Sequence, residues 1–235
     1  MSKAVLDPAT TVTPDRRHPF DVTTWSQRTA ALVAGVALAL MAVLAGAGNF
    51  GAIVPLVTPG DAVGTAQSIS GSPFLFFSGV VSLSVVAVLD VIVAGAFYTV
   101  FRPVSRTLSS AAAWMRIIYA ALFLIAISRL VVGFSLLDDP HAALPVLESF
   151  TTMWVLSQGL FGLSLLLVGY LAFRSGFMAR IFGVLLAIAG LGYLADAVGM
   201  AVVPGFTAVF AQFMFVGEVA IIFWLLIRGR RLPAN

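Results

Sequence analysis

The chain has 235 residues, 60% of them hydrophobic and 10% charged, with 13 Lys and Arg against 10 Asp and Glu for a net charge of +3. A soluble domain is about 45–50% apolar and about 25% charged, and a fold of this length in water could not hide so much hydrocarbon behind so few charges. That balance excludes an ordinary soluble enzyme, a disordered chain and a nucleic-acid-binding domain, and it points to a multi-pass helical membrane protein.

Residues 1–28 differ from the rest. They hold Pro8, Pro14, Pro19 and seven of the charges, cannot bury a core, and read as a mobile cytoplasmic tail. The tail is too long for the basic start of a signal peptide, and the apolar run after it shows no clear cleavage site, so that run reads as a retained span. Six apolar stretches approach or exceed the roughly 20 residues a helix needs to cross a bilayer: about Thr29 to Gly48, Phe74 to Phe101, Ala111 to Leu137, Leu147 to Phe173, Ile181 to Val203 and Phe206 to Ile227. The runs are continuous rather than alternating, which excludes a lipid-facing β-barrel. The expected fold is therefore an all-α, polytopic membrane bundle of six helices, with residues 229–235 as a basic cytoplasmic tail. Proline breaks helices, and all 11 prolines fall in tails, in loops or at span ends.

Charge sets the orientation. Lys3, Arg16, Arg17 and Arg28 precede the first span. Arg102, Arg106 and Arg116 surround the second turn, Arg174 and Arg180 the fourth, and Arg228, Arg230 and Arg231 follow the last span. Twelve of the 13 positive charges thus lie on one side, and the positive-inside rule places both ends of the chain in the cytoplasm. Asp61, Asp138, Asp139, His141 and Glu148 fall outside. Trp25, Trp114, Trp154 and Trp224 lie near expected span ends, as an aromatic belt requires. In the long first outer loop, Thr58-Pro59-Gly60-Asp61 reads as a turn followed by a helix N-cap, with a short helix through Ala66 to Ile69.

The remaining ionisable groups lie inside spans: Asp90, Arg129, Asp196 and Glu218, with Arg116 about one turn inside its cytoplasmic end. A central charge costs about 2.5–3.5 kcal/mol on insertion scales, so these groups are expected to face the bundle interior and find partners. Arg129 and Asp196 lie about 12 Å and about 10 Å from the outer ends of their spans, which makes them the first expected ion pair. Gln158 sits at similar depth, Tyr193 precedes Asp196 by one turn and Gln212 is slightly shallower, suggesting a polar pocket in the outer half. Arg116 reaches Asp90 if it turns inward rather than to the interface. Three carboxylates face two arginines, which leaves Glu218, deep and far from both arginines, as the carboxylate without a cationic partner. Such a group can carry a proton or act as a hydrogen-bonding acid.

Other chemistry is sparsely supplied. There is no Cys and only two His, His18 and His141, so no metal site at helical spacing arises. No nucleophile elbow and no phosphate-cradling loop occur. No cofactor is called for, and an enzyme is disfavoured. Small residues at spacing four (Ala31, Gly35, Ala39; Ala42, Gly46; Ala195, Gly199) suit close helix packing.

Several stretches carry a resemblance: Gly169-Tyr170-Leu171-Ala172-Phe173-Arg174-Ser175-Gly176-Phe177-Met178-Ala179-Arg180-Ile181-Phe182-Gly183, running on to Asp196; Gly217-Glu218 before Trp224-Leu225-Leu226; and Leu89-Asp90, Phe101-Arg102-Pro103-Val104-Ser105-Arg106 and Met115-Arg116. Over about residues 28–230 the chain resembles bacterial six-helix membrane proteins catalogued as domain of unknown function 4386. The resemblance implies six spans, cytoplasmic termini and polar signature positions at Asp90, Arg116, Arg174, Arg180, Asp196 and Glu218. It implies no activity. Phe77 stands where members often carry a basic residue, and Ala179 where they often carry Pro. The expected function is a non-enzymatic membrane protein binding a small molecule, ion or lipid in the outer-half pocket, with transport as the activity such binding would serve. Its expected partners are membrane lipids, with a small-molecule ligand or another membrane protein and no nucleic acid. A structural or accessory subunit is the alternative, and an intramembrane enzyme the third reading.

Overall fold

The computed structural model describes residues 25–233, and for residues 211–216 the backbone alone. Most of the expected N-terminal tail, together with residues 234–235 and the side chain of Gln212, lies outside the described residues. Seven α-helices follow in order: α1 Gln27–Leu56, α2 Ala62–Gly71, α3 Pro73–Phe101, α4 Arg106–Phe134, α5 Pro140–Arg174, α6 Arg180–Val202 and α7 Ala211–Ile227. A 3-10 turn, Gly229–Arg231, follows α7. The chain is an all-α helical membrane bundle. Among the described residues five helices, α1 and α3 to α6, are long and apolar enough to cross a membrane. The helix α7 has 17 residues, at the short limit of about 17–25 for a span.

The helices start where the local chemistry supplies caps. Ser26 accepts from the Thr29 N–H ahead of α1, Ser105 from Leu108 ahead of α4, and Asp139 from Ala142 ahead of α5, each satisfying a donor that the first turn leaves free. The outer turn expected at Thr58-Pro59-Gly60-Asp61 is present. Asp61 N–H donates to Thr58 O at 3.1 Å, Gly60 has φ +78°, and Asp61 caps α2 through Gly64 at 2.8 Å. Proline at the second position and a left-handed glycine at the third are what this turn requires. Glu148, expected at the outer end of the fourth span, lies in α5 and accepts from the Gly60 N–H at 3.0 Å, tying the turn to the bundle.

Several boundaries differ from expectation. The first helix continues past Gly48 to Leu56 through a π-helical stretch, Gly46–Ile53. The fourth expected span begins seven residues early, at Pro140, because Asp139 and Pro140 supply a cap and a preset first turn. Pro145 consequently lies inside α5 rather than in a loop, where it offers no N–H to the His141 carbonyl.

Packing closes the long helices into a ring. In order round the bundle, α1, α3, α4, α5, α6 and α7 each touch the next, and α7 returns to α1, while α2 rests on α5. One end carries the turns after α3 and α5, the start of α1 and the residues after α7. Arg28 N–H donates to Pro233 O at 3.1 Å and Gln27 Nε2 to Val100 O at 2.8 Å there. The tightest seam joins α5 to α6 through glycines. A methyl group added at Gly162 would stand 2.6 Å from the Gly190 carbonyl oxygen, and one at Gly169 2.8 Å from that of Gly183. Such backbone approach is how helices associate where lipid removes the hydrophobic drive. Gly35 plays the same part against Leu225 and Leu226 of α7, as its spacing with Ala31 suggested.

Candidate functional site

The buried core mixes aliphatic and aromatic side chains, and two polar pairs are set beside its aromatic rings. The first joins α3 to α4. Asp90 and Arg116 are each 1% exposed, Arg116 Nε donates to Asp90 Oδ1 at 2.7 Å, and Nη2 lies 2.6 Å from the same oxygen, off the line of its own N–H bonds. The guanidinium is flanked by Phe97, 5.8 Å from the ring centre, and Phe161, at 4.8 Å. A cation over an aromatic face gains about 2 kcal/mol when desolvated, so the rings replace water around a charge that the bilayer would otherwise oppose. Arg116 therefore turns inward, as its reach allowed, and the arginine that the sequence placed at a helix end belongs to the core.

The second pair joins α6 to α7. Tyr193 O–H donates to Glu218 Oε1 at 2.6 Å. Tyr193 is 8% exposed and Glu218 is half-buried. Phe161 connects the pairs, since it meets Tyr193 edge-on at 5.1 Å between ring centres while its face meets Arg116. Tyr119 lies 5.0 Å from Phe161 and accepts a hydrogen bond from Trp154 Nε1 at 3.2 Å. Tyr119, Phe97 and Phe161 were not singled out by sequence, and Trp154 was not expected at this centre. It was assigned to an interfacial belt, but the early start of α5 carries it into the bundle, stacked on Phe123 and Phe150.

The other expected residues do not join this centre. The Arg129–Asp196 ion pair is not made. Arg129 Nε donates to Ser149 Oγ at 3.0 Å, within the α4–α5 contact. Asp196 is fully buried, and its Oδ1 accepts the backbone N–H groups of Val209 at 3.0 Å and Phe210 at 3.2 Å. Those are the groups just before α7, which a carboxylate satisfies well. Equal depth was the wrong criterion, because α5 packs between α4 and α6 and turns the two residues toward different neighbours. Gln158 is half-buried on α5 and belongs to neither pair.

Nor do two prominent cavities lie in the outer half. One, of about 760 Å³, is a groove between α6, α7 and the α5–α6 turn, walled by Phe177, Phe182, Phe223 and Trp224 with Arg228 and Arg231 at its rim. The other, of about 510 Å³, lies between the α3–α4 turn and the end of α5, with Gln27, Ser105, Tyr170 and Arg174 among its walls. Both open at the arginine-bearing end, and neither is lined by Asp90, Arg129, Asp196 or Glu218. Acid–base chemistry needs a reacting atom within about 2.6–3.2 Å of the proton it exchanges, and neither cavity reaches Tyr193 or Glu218. Among the described residues no three His, Asp or Glu side chains gather to hold a metal ion.

The sequence model of a family described as Domain of unknown function (DUF4386) matches residues 33–229. An uncharacterized protein of Archaeoglobus fulgidus is 34% identical over 153 residues, which is 65% of this chain and 85% of the relative. No solved structure matches the chain.

Proposed function

The chain belongs to the family described as Domain of unknown function (DUF4386), and from that premise we propose a non-enzymatic, six-span protein of the bacterial inner membrane that binds a small amphiphilic molecule at its cytoplasmic end. Six spans are supported by the ring, which only α7 closes. Its 17 residues extend about 25 Å, close to the roughly 30 Å of a bilayer's hydrocarbon. A cytoplasmic position for the arginine-bearing end is supported by the positive-inside rule: Arg28, Arg102, Arg106, Arg174, Arg180, Arg228, Arg230 and Arg231 all lie there.

The observation that carries the binding reading is a separation within the bundle. The membrane-embedded charges Asp90, Arg116 and Asp196 are sealed by protein, whereas open volume of a size that suits small molecules, about 300–1,000 Å³, lies at the arginine-bearing end. Mass spectrometry of molecules that stay bound through purification in mild detergent tests this reading. An amphiphile is expected with the parent and with Asp196→Asn, and its loss is expected when one cavity is filled, by Ala220→Phe in the larger or Leu108→Trp in the smaller. Retention in both filled variants, or nothing bound to the parent, would end the proposal.

A second reading, a structural or accessory subunit, is favoured by the closed Asp90–Arg116 pair, which offers nothing to a ligand and serves only to fix α3 against α4. Pull-down of a stoichiometric membrane partner, with empty cavities, would select it.

A further inference from the structure

We infer that the groove between α6 and α7 is a site for an anionic phospholipid, its phosphate held by Arg228 and Arg231 and one acyl chain laid along the aromatic wall. The inference rests on the preceding reading and names the ligand class. Three observations carry it. First, the rim charges are positioned together. The 3-10 turn Gly229–Arg231 follows α7 directly, and in such a turn residues three apart lie on one side. Arg228 and Arg231 therefore both border the groove, while Arg230 between them does not. Second, among the described residues these charges are unopposed. Both arginines are exposed, neither has a carboxylate partner among the described residues, and every described Asp and Glu belongs to the spans or the opposite end. A phosphate would meet two guanidinium groups, each able to bind it through paired N–H donors.

Third, the walls below the rim are apolar and open to lipid. Trp224 sits between Phe177, at 6.2 Å, and Phe182, at 6.3 Å, which makes a rigid aromatic floor. Phe223 and Ile227 at the mouth are 60% and 64% exposed. The groove thus pairs a cationic rim at the membrane surface with an apolar trough running into the hydrocarbon, which is the polarity of a phospholipid and not that of a free phosphate. Trp224 itself is only 8% exposed, so a chain reaching it must enter the groove.

Quenching of Trp224 fluorescence by lipids brominated on their acyl chains tests the site in reconstituted vesicles. The Trp224-dependent signal is the part lost in a Trp224→Phe control. At equal mole fraction, brominated phosphatidylglycerol is expected to quench it at least several-fold more effectively than brominated phosphatidylcholine. The preference should vanish in Arg228→Gln/Arg231→Gln, persist in Arg230→Gln, and survive in part in Arg228→Lys/Arg231→Lys, which keeps the charge. Equal quenching by the two lipids in the parent protein overturns the inference while leaving an amphiphile groove in place. An equal loss of preference in Arg230→Gln also overturns it, by assigning the effect to general surface charge. Absence of Trp224 quenching by either lipid overturns the inference and removes this groove from the proposed function as well.

Discussion

Arg116 and Asp90 meet through Nε and Oδ1 at 2.7 Å with both side chains shut away from the surroundings. Breaking one member of such a pair leaves the other buried and uncompensated, at a cost of about 3–5 kcal/mol, whereas replacing both with apolar groups of similar volume is often neutral. Arg116→Met and Asp90→Leu are each expected to lower the unfolding midpoint in detergent sharply, and the double variant to recover most of it. Additive losses in this cycle would show that the two residues act independently.

Asp196 offers a different test, since its carboxylate holds backbone N–H groups. Asp196→Asn keeps an oxygen for the Val209 and Phe210 N–H groups; Asp196→Ala leaves them without it. The alanine variant is expected to lose about 1.5–3 kcal/mol and to open the 203–210 connection to protease, with the asparagine variant much closer to the parent. Equal susceptibility of the two would remove the capping role.

The α5–α6 seam leaves no room for a side chain. Gly162→Ala puts a methyl group 2.6 Å from the Gly190 carbonyl oxygen, so α5 and α6 must part; interior overpacking costs about 1–3 kcal/mol. Gly46→Ala, where nothing lies within 4 Å, is the matched control and should be close to neutral in the same melt.

The absence of cysteine makes the span count directly measurable. Single cysteines at Asp138, Thr207 and Asn235 are expected to react with an impermeant thiol reagent from outside, outside and inside respectively. Labelling of Thr207→Cys and Asn235→Cys from the same side would mean that α7 does not cross.

How much of this could be read in advance depended on which dimension was needed. Position along the membrane normal follows from residue counting, and the Asp90–Arg116 contact was legible as a conditional one, because α3 and α4 are consecutive and an arginine one turn inside its span reaches Asp90 if it turns inward. Position around the ring does not follow from counting, and Arg129 and Asp196 were matched at one level while α5 stands between their helices. The glycine seam was missed for a related reason: a search at spacing four finds Ala31 and Gly35, but Gly162 and Gly169 recur at seven, as do Gly183 and Gly190, and the pattern shows only when two antiparallel helices are laid together. Trp154 was misplaced because the apolar run suggested a start at Leu147, while Asp139 and Pro140 began the helix two turns earlier. The Thr58 to Asp61 turn was legible because its requirements are local.

The return of α7 to α1 has a bearing on how the protein is made. Spans enter a membrane in order of synthesis, so α3 and α4 can latch Asp90 to Arg116 while later helices are still missing. The Ala31–Gly35 face of α1, by contrast, waits through the insertion of every intervening helix until α7 arrives. Lipid can occupy that face meanwhile at no polar cost, because it is small and apolar. Ribosome-bound intermediates lacking α7 would therefore be open arcs, already locked on one side and gaping on the other, and the Tyr193–Glu218 bond would be the last clasp to shut.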